Sequence, residues 1–382
     1  MPDRLRVLLM SYCLDAGGTE RQLANTAMGL DRSRFEPHVG TFHGGGPRHR
    51  ELCAAGVPVT EFPVRSFASP SLLRAALELR RYLERHAIDI LHSFDVPANL
   101  FGVPTAVACR VPLVLSSQRA SRGLTPGIYH HLLRITDQMV DGIVVNSRAL
   151  RRELVEQDRV PPGRIHLCPN GIRTDLFHPP AEGPGAGLTI GTLCVLRPEK
   201  SLGTLLEACA RLRPAFPEAR LVVVGSGPML AELEALAARL GVAATCRFEP
   251  ATSQVAERLR GFDIFVLPSL SEALSNSLME AMACGCCAVA SDAGGNPELV
   301  RHGETGLLFR AGDAAELAAR LGLALRDGQL RRKLAESGAR FIRESFSVET
   351  AVRRMEAIYL RLWRERRGSP PTTASEKVAV TR

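Results

Sequence analysis

Lysine is almost missing from this chain of 382 residues: only positions 200, 333 and 377 carry it, against 45 arginines. So strong a skew reads as coding bias, and it makes each surviving lysine, Lys200 above all, worth following. No solid basic block occurs, which excludes a nucleic-acid-binding tail. Long apolar runs are missing too. The longest candidate, 98–115, is interrupted by Asn99, Pro104, Arg110 and Pro112, so it is not a spanning helix. The start, MPDRLRVLLMSYCLD, lacks a small-x-small cleavage site and reads as a first strand, not a secretion signal. These absences predict a cytosolic protein. The ten cysteines lack the regular spacing of a disulfide framework. Cys284 and Cys287 have zinc-like CxxC spacing but no second ligand pair, so they read as small buried hydrophobes.

What is present is an ordinary soluble composition, 45% hydrophobic and 23% charged, in a chain long enough for two or three domains. The net charge of +8 is unevenly spread. Residues 1–186 carry +4, 187–350 carry −1, and 351–368 carry +4.

Apolar runs alternate with helical periodicity from end to end. Strands are expected at 6–10, 37–42, 57–63, 88–93, 113–117, 142–146 and 164–168, and the 71–86 stretch has helical spacing of Leu72, Ala75, Ala76, Leu79 and Leu83. A break rich in Pro, Gly and Ala follows at 179–187, after which the alternation resumes with strands at 188–196, 220–225, 245–248, 264–268, 288–291 and 306–309. The fold class is therefore α/β, with two successive Rossmann-like parallel-sheet domains and ligands at the carboxyl ends of their strands, in a cleft between them. The expected limits are 1–180 for the first domain, 181–187 for a linker and 188–346 for the second. A helix at 347–367, with Val352, Met355, Ile358, Tyr359 and Leu362 on one face, precedes a disordered tail at 368–382.

Four loops after expected strands can carry chemistry. Gly17-Gly18 opens a helix, where backbone N–H groups can approach an anion. Arg197 and Lys200 lie three apart and can converge on a phosphate. The run Gly225-Ser226-Gly227 begins like a dinucleotide fingerprint, but Leu230 stands where Gly or Ala is needed; this counts against NAD(P) and leaves a turn facing a phosphate or sugar. The fourth loop, 267–285, carries Glu272 above a helix that includes Glu280. Two carboxylates aimed into one cleft suit the hydroxyls of a sugar and a ribose, and the amides around Leu274, Ser275 and Asn276 suit a diphosphate.

The block SEALSNSLMEAMACG with AVASDAGGNPELV is similar to the signature of retaining glycosyltransferase family 4. So are GGTERQL, PNGIRTDLF, LRPEKS and HGETGLLF, which occur in the family's order over about 7–345. The resemblance implies the GT-B fold, an N-terminal acceptor domain, a C-terminal nucleotide-sugar domain and a last helix crossing back to the first domain. It implies that Arg197, Lys200, Gly17 and Gly18 meet the donor diphosphate, Glu272 the donor sugar and Glu280 the ribose. Asn276 and its neighbours would support the phosphates, and the backbone around Arg247 and Phe248 would meet the base. No cofactor and no metal are expected: Asp-x-Asp is absent, and basic residues take the metal's place. The donor is UDP- or GDP-linked and the acceptor a carbohydrate or a lipid-linked intermediate of envelope polysaccharide. Where many members have His-x-His, this chain has His92-Ser93-Phe94, and His92 is expected to touch donor or acceptor. Arg119, after the next strand, is an expected acceptor or phosphate contact. Two rival functions share these features: a nucleotide-sugar 2-epimerase and a catalytically silent nucleotide-sugar or glycan binder. The basic excess suits peripheral attraction to anionic lipid at the inner face of the membrane.

Overall fold

Strands that are apolar on both faces need helices on both sides, and this chain satisfies them with two parallel sheets. The computed structural model describes residues 4–180 and 188–367, so the expected linker and tail lie outside the described residues. The chain divides into two units, Met1–Gly171 with Val348–Arg382, and Ile172–Ser347.

The first unit begins with β1 (Leu5–Ser11), α1 (Gly18–Gly29), β2 (Phe35–Thr41), α2 (Gly46–Ala54), β3 (Val59–Glu61) and α3 (Ser71–Arg85). It continues through β4 (Ile90–Ser93), α4 (Val96–Ala108), β5 (Leu113–Gln118), α5 (Gly127–Met139), β6 (Gly142–Val145), α6 (Arg148–Glu156) and β7 (Ile165–Leu167). The sheet order is β3-β2-β1-β4-β5-β6-β7 with every pair parallel. Strand order therefore reverses between β1 and β4.

The second unit runs β8 (Thr189–Leu193), α7 (Leu202–Leu212), β9 (Arg220–Val224), α8 (Leu230–Arg239), β10 (Cys246–Glu249) and α9 (Val255–Arg260). Then come β11 (Ile264–Leu267), α10 (Asn276–Ala283), β12 (Cys287–Ser291), α11 (Asn296–Leu299), β13 (Leu307–Phe309), α12 (Ala314–Arg326) and α13 (Gly328–Ser345). Its order, β10-β9-β8-β11-β12-β13, reverses between β8 and β11.

The last helix, α14 (Val348–Arg367), returns to the first unit. Val352, Met355, Ile358, Tyr359, Leu362 and Trp363 all enter the first unit's core. At about 2 kcal/mol per buried side chain, this face contributes on the order of 10 kcal/mol before chain entropy is subtracted. Polar ties fix its register: Glu356 accepts from the Asp31 amide at 2.7 Å, and Arg361 donates to His166 Nδ1 at 2.8 Å.

The expected domain limit at 180 needs correction. Residues after Gly171 already pack with the second unit: Ile172 and Phe177 are buried in its core. Arg260 clamps the same stretch by donating to the carbonyl oxygens of Leu176 at 2.6 Å and His178 at 3.0 Å. Composition breaks at the Pro/Gly run, but packing changes earlier.

Candidate active site

In open parallel sheets, ligands bind outside the carboxyl ends of the strands where the order reverses. In the second unit this point lies between β8 and β11, which pair through Ile190 with Ile264 and Gly191 with Phe265. The loop after β8 carries Arg197 and Lys200, and the loop after β11 carries Glu272. Lys200 Nζ lies 2.6 Å from Glu272 Oε2, and Ser269 Oγ donates to the same oxygen at 3.3 Å. Backbone bonding joins the loops as well, with the Leu270 amide donating to the Glu199 carbonyl at 2.8 Å. The cluster is partly buried: the Lys200 side chain is 20% exposed and that of Glu272 14%. Arg197 faces solvent, 4.0 Å from Glu199. Two residues 72 positions apart, Lys200 and Glu272, thus form one site.

The main chain of Glu272 is gripped from below. Its carbonyl oxygen accepts from the Gly295 amide at 3.1 Å. Gly294, at φ +54°, packs so closely that an added Cβ would overlap that oxygen and lie 2.8 Å from the carbonyl carbon. Beyond the loop, Ser275 caps α10 by accepting from the Leu278 amide at 3.3 Å. Leu274 is buried at this helix start, Asn276 opens the first turn, and Glu280 is buried among Leu278, Met279 and Met282. Gly227 is also close to this edge: a Cβ there would run into the Leu196 backbone, so its first duty is to let two loops touch.

Arg247 and Phe248 are not part of this cluster. They lie on the edge strand β10, two strands from β8. The Arg247 side chain is 79% exposed and pairs with Glu249 at 3.1 Å. It lines an open cavity of about 450 Å³ together with Arg220, Glu249 and Arg258.

In the first unit, Gly17 is the N-cap of α1 and offers no capping side chain. The Glu20 carboxylate folds over Gly17. Burial, with Asp95 and Asp15 nearby, holds that carboxyl above the usual range.

His92 requires a correction. It is fully buried, its Nδ1 is 2.7 Å from the Tyr359 hydroxyl, and its Nε2 is 2.8 Å from Ser117 Oγ. Burial, then the charge of Arg119, holds the imidazole well below its usual pKa. A neutral ring with both nitrogens bonded inside the unit joins α14 to the sheet; it has no atom to offer a substrate. Its partner Tyr359 lies 267 residues away, so no local pattern reveals the pair. Arg119 is half-buried, stacked 4.7 Å from the Phe94 ring centroid, and donates to Asn170 Oδ1 at 2.9 Å. Cys284 and Cys287 are buried, and burial pushes both thiols up to about 12.

Two family profiles match consecutive parts of the chain: Glycosyltransferase Family 4 over residues 16–176 and Glycosyl transferases group 1 over residues 183–341. The chain belongs to glycosyltransferase family 4. A D-inositol 3-phosphate glycosyltransferase from Geodermatophilus obscurus is 35% identical over 241 residues, covering 57% of this chain and 52% of that protein. The protein of the same name from Streptomyces scabiei is 32% identical over 285 residues, covering 69% of this chain and 64% of its own length. The matched region thus spans between half and two thirds of these curated family relatives. Among solved structures, Anabaena HepE in complex with UDP is similar with a TM-score of 0.82 at 20% identity, covering 94% of this chain and 100% of that one. This likeness identifies the fold of the family-4 chain as GT-B, built from two Rossmann-like domains.

Proposed function

We propose that this protein is a retaining, metal-independent glycosyltransferase that moves a sugar from a UDP- or GDP-linked donor to a carbohydrate or lipid-linked acceptor of the cell envelope. The observation that carries the reading is the Lys200–Glu272 pair, 2.6 Å apart at the switch point of the second sheet. The two side chains satisfy each other. A bound donor offers both a better partner: phosphate oxygens for Lys200 and sugar hydroxyls for Glu272. Arg197, exposed beside them, adds the second cation. Glu280, buried in α10, is assigned to the ribose.

Chemically, the bond between the anomeric carbon and the diphosphate oxygen breaks as the acceptor oxygen bonds to the same face of that carbon. The acceptor's proton passes to the leaving phosphate. Charge grows on the leaving group, and Lys200, held beside Glu272, stabilises it there together with the exposed Arg197. A positioned donor of this kind is worth about 10²–10³ in kcat. The cations also take the place of a metal in this reading.

Peripheral attachment to anionic lipid is part of the proposal, supported by the basic excess of residues 1–186 and 351–368. No helix among the described residues is long and apolar enough to cross a membrane.

The test is an NMR time course with a panel of nucleotide sugars and envelope acceptors. The expected result is a product that keeps the donor's anomeric configuration and forms only with acceptor present. Epimerisation of the donor at C2 without any acceptor, or an inverted product, would overturn the reading.

A further inference from the structure

The carboxyl ends of β5, β6 and β7 hold a cation without an anion. Gln118 pairs in register with Val145, so Arg119 and Asn146 stand on neighbouring strand ends, and Asn170 follows the next strand, β7. The Arg119 guanidinium rests on Phe94 and bonds one neutral partner, Asn170. Its Nε is buried without a hydrogen-bond partner, and so is Oδ1 of Asn146. Among the described residues, no carboxylate lies within ion-pair distance of Arg119. Arg122, three positions on, shows what a structural arginine looks like here. It is buried against Asp137 at 2.7 Å and Asp158 at 3.4 Å.

The titratable neighbours supply no negative charge. Burial pushes the Cys168 thiol up to about 11 and the Tyr359 phenol well above its usual value, so both stay neutral. His92 is neutral as well. Arg119 itself is drawn down to about 10 by burial, which leaves it charged at neutral pH. A cation kept half out of water with no counter-charge is costly unless a ligand supplies one. Guanidinium is suited to phosphate because its planar N–H donors match paired oxygens.

We infer that Arg119 receives a phosphoryl group of the acceptor, with Asn146 Oδ1 taking a hydrogen bond from an adjacent hydroxyl. The inference rests on the proposed glycosyl transfer and narrows its acceptor to phosphorylated molecules. A free sugar phosphate and a lipid-linked pyrophosphate share this group, so inorganic phosphate and inorganic pyrophosphate serve as probes for the two sources.

The experiment titrates both probes, and separately UDP and GDP, into the full-length wild type, Arg119→Met, Arg119→Lys and Lys200→Met, by calorimetry. With saturating UDP or GDP occupying the donor site, at least one inorganic probe is expected to bind wild type, to weaken at least tenfold in Arg119→Met, and to recover in part in Arg119→Lys, whereas Lys200→Met weakens UDP and GDP themselves. The melting temperature of Arg119→Met should be no lower than wild type, because methionine keeps the stacking and removes an unpaired charge. Equal probe binding by Arg119→Met and wild type overturns the inference, as does a melting temperature several degrees lower, which marks a structural strut. Nucleotide binding separates the two claims. Its retention in Arg119→Met is expected, whereas its absence from wild type defeats the proposed function.

Discussion

Gly294→Ala is a demanding test of the site because the residue touches nothing chemical. An added methyl carbon would lie 2.8 Å from the Glu272 carbonyl carbon and overlap its oxygen. Carbon atoms in contact prefer roughly 3.5–4.0 Å, so the loop carrying Glu272 must retreat by roughly 1 Å. The backbone adds its own cost: at φ +54°, a residue with a Cβ loses about 1–2 kcal/mol. The Lys200–Glu272 contact at 2.6 Å cannot survive such a retreat unchanged. A misplacement of about 1 Å in a positioned group costs up to ~10²-fold in turnover. The expected outcome is therefore a kcat about 100-fold lower, with a stability loss of about 1–2 kcal/mol from the strained backbone. Steady-state kinetics and a urea melt on the same preparation measure both. Wild-type turnover together with an unchanged urea midpoint would refute the reasoning, because the methyl group would then have found room.

Three further outcomes follow from the same structure. Lys200→Met should lower kcat by about 10²–10³ while costing only about 1 kcal/mol of stability, since its ion pair is partly hydrated; a fall in the urea midpoint without loss of turnover contradicts the assignment. Tyr359→Phe removes the partner of His92 Nδ1 and should cost about 1–3 kcal/mol in a denaturant melt, with KM for the donor unchanged; a raised donor KM would return His92 to the substrate. Burial, then Arg361, lowers His166 from 6.5 to about 4. The unfolded chain therefore binds the proton first as pH falls below 6.5, and stability declines from there toward pH 4. The loss at pH 5 is about 2 kcal/mol, and His166→Gln should flatten the urea-midpoint profile between pH 7 and 5.

Both sheets were legible in the sequence because parallel strands buried on two faces leave apolar runs that only helices can separate. Lys200 and Glu272 were legible for a different reason. Strand-end loops are where a parallel sheet binds its ligands, and lysine is scarce enough here to stand out. The grip of Gly294 and Gly295 on Glu272 was not legible, since close backbone approach depends on how loops fold together. His92 misled for a similar reason: a histidine at a strand's end looks available until Tyr359, from the far end of the chain, covers it. The unit boundary was misplaced because proline and glycine mark where a chain can bend, whereas burial of Ile172 and Phe177 decides which core it has joined. Arg119 was legible as a cation but not as an isolated one, because sequence does not reveal a missing partner.

The position of α14 has a consequence for the order of synthesis. The first unit leaves the ribosome before the second, yet Tyr359 and Trp363, among the largest side chains in its core, are made only after the second unit. Until then His92 lacks its phenol partner, and the groove over α1 stands open with its apolar lining in water. The whole second unit is translated during that interval. Folding at the front of the molecule therefore waits on the completion of the back, and a ribosome that stalls before residue 348 leaves behind a chain marked by its own uncovered core as substrate for chaperones and proteases.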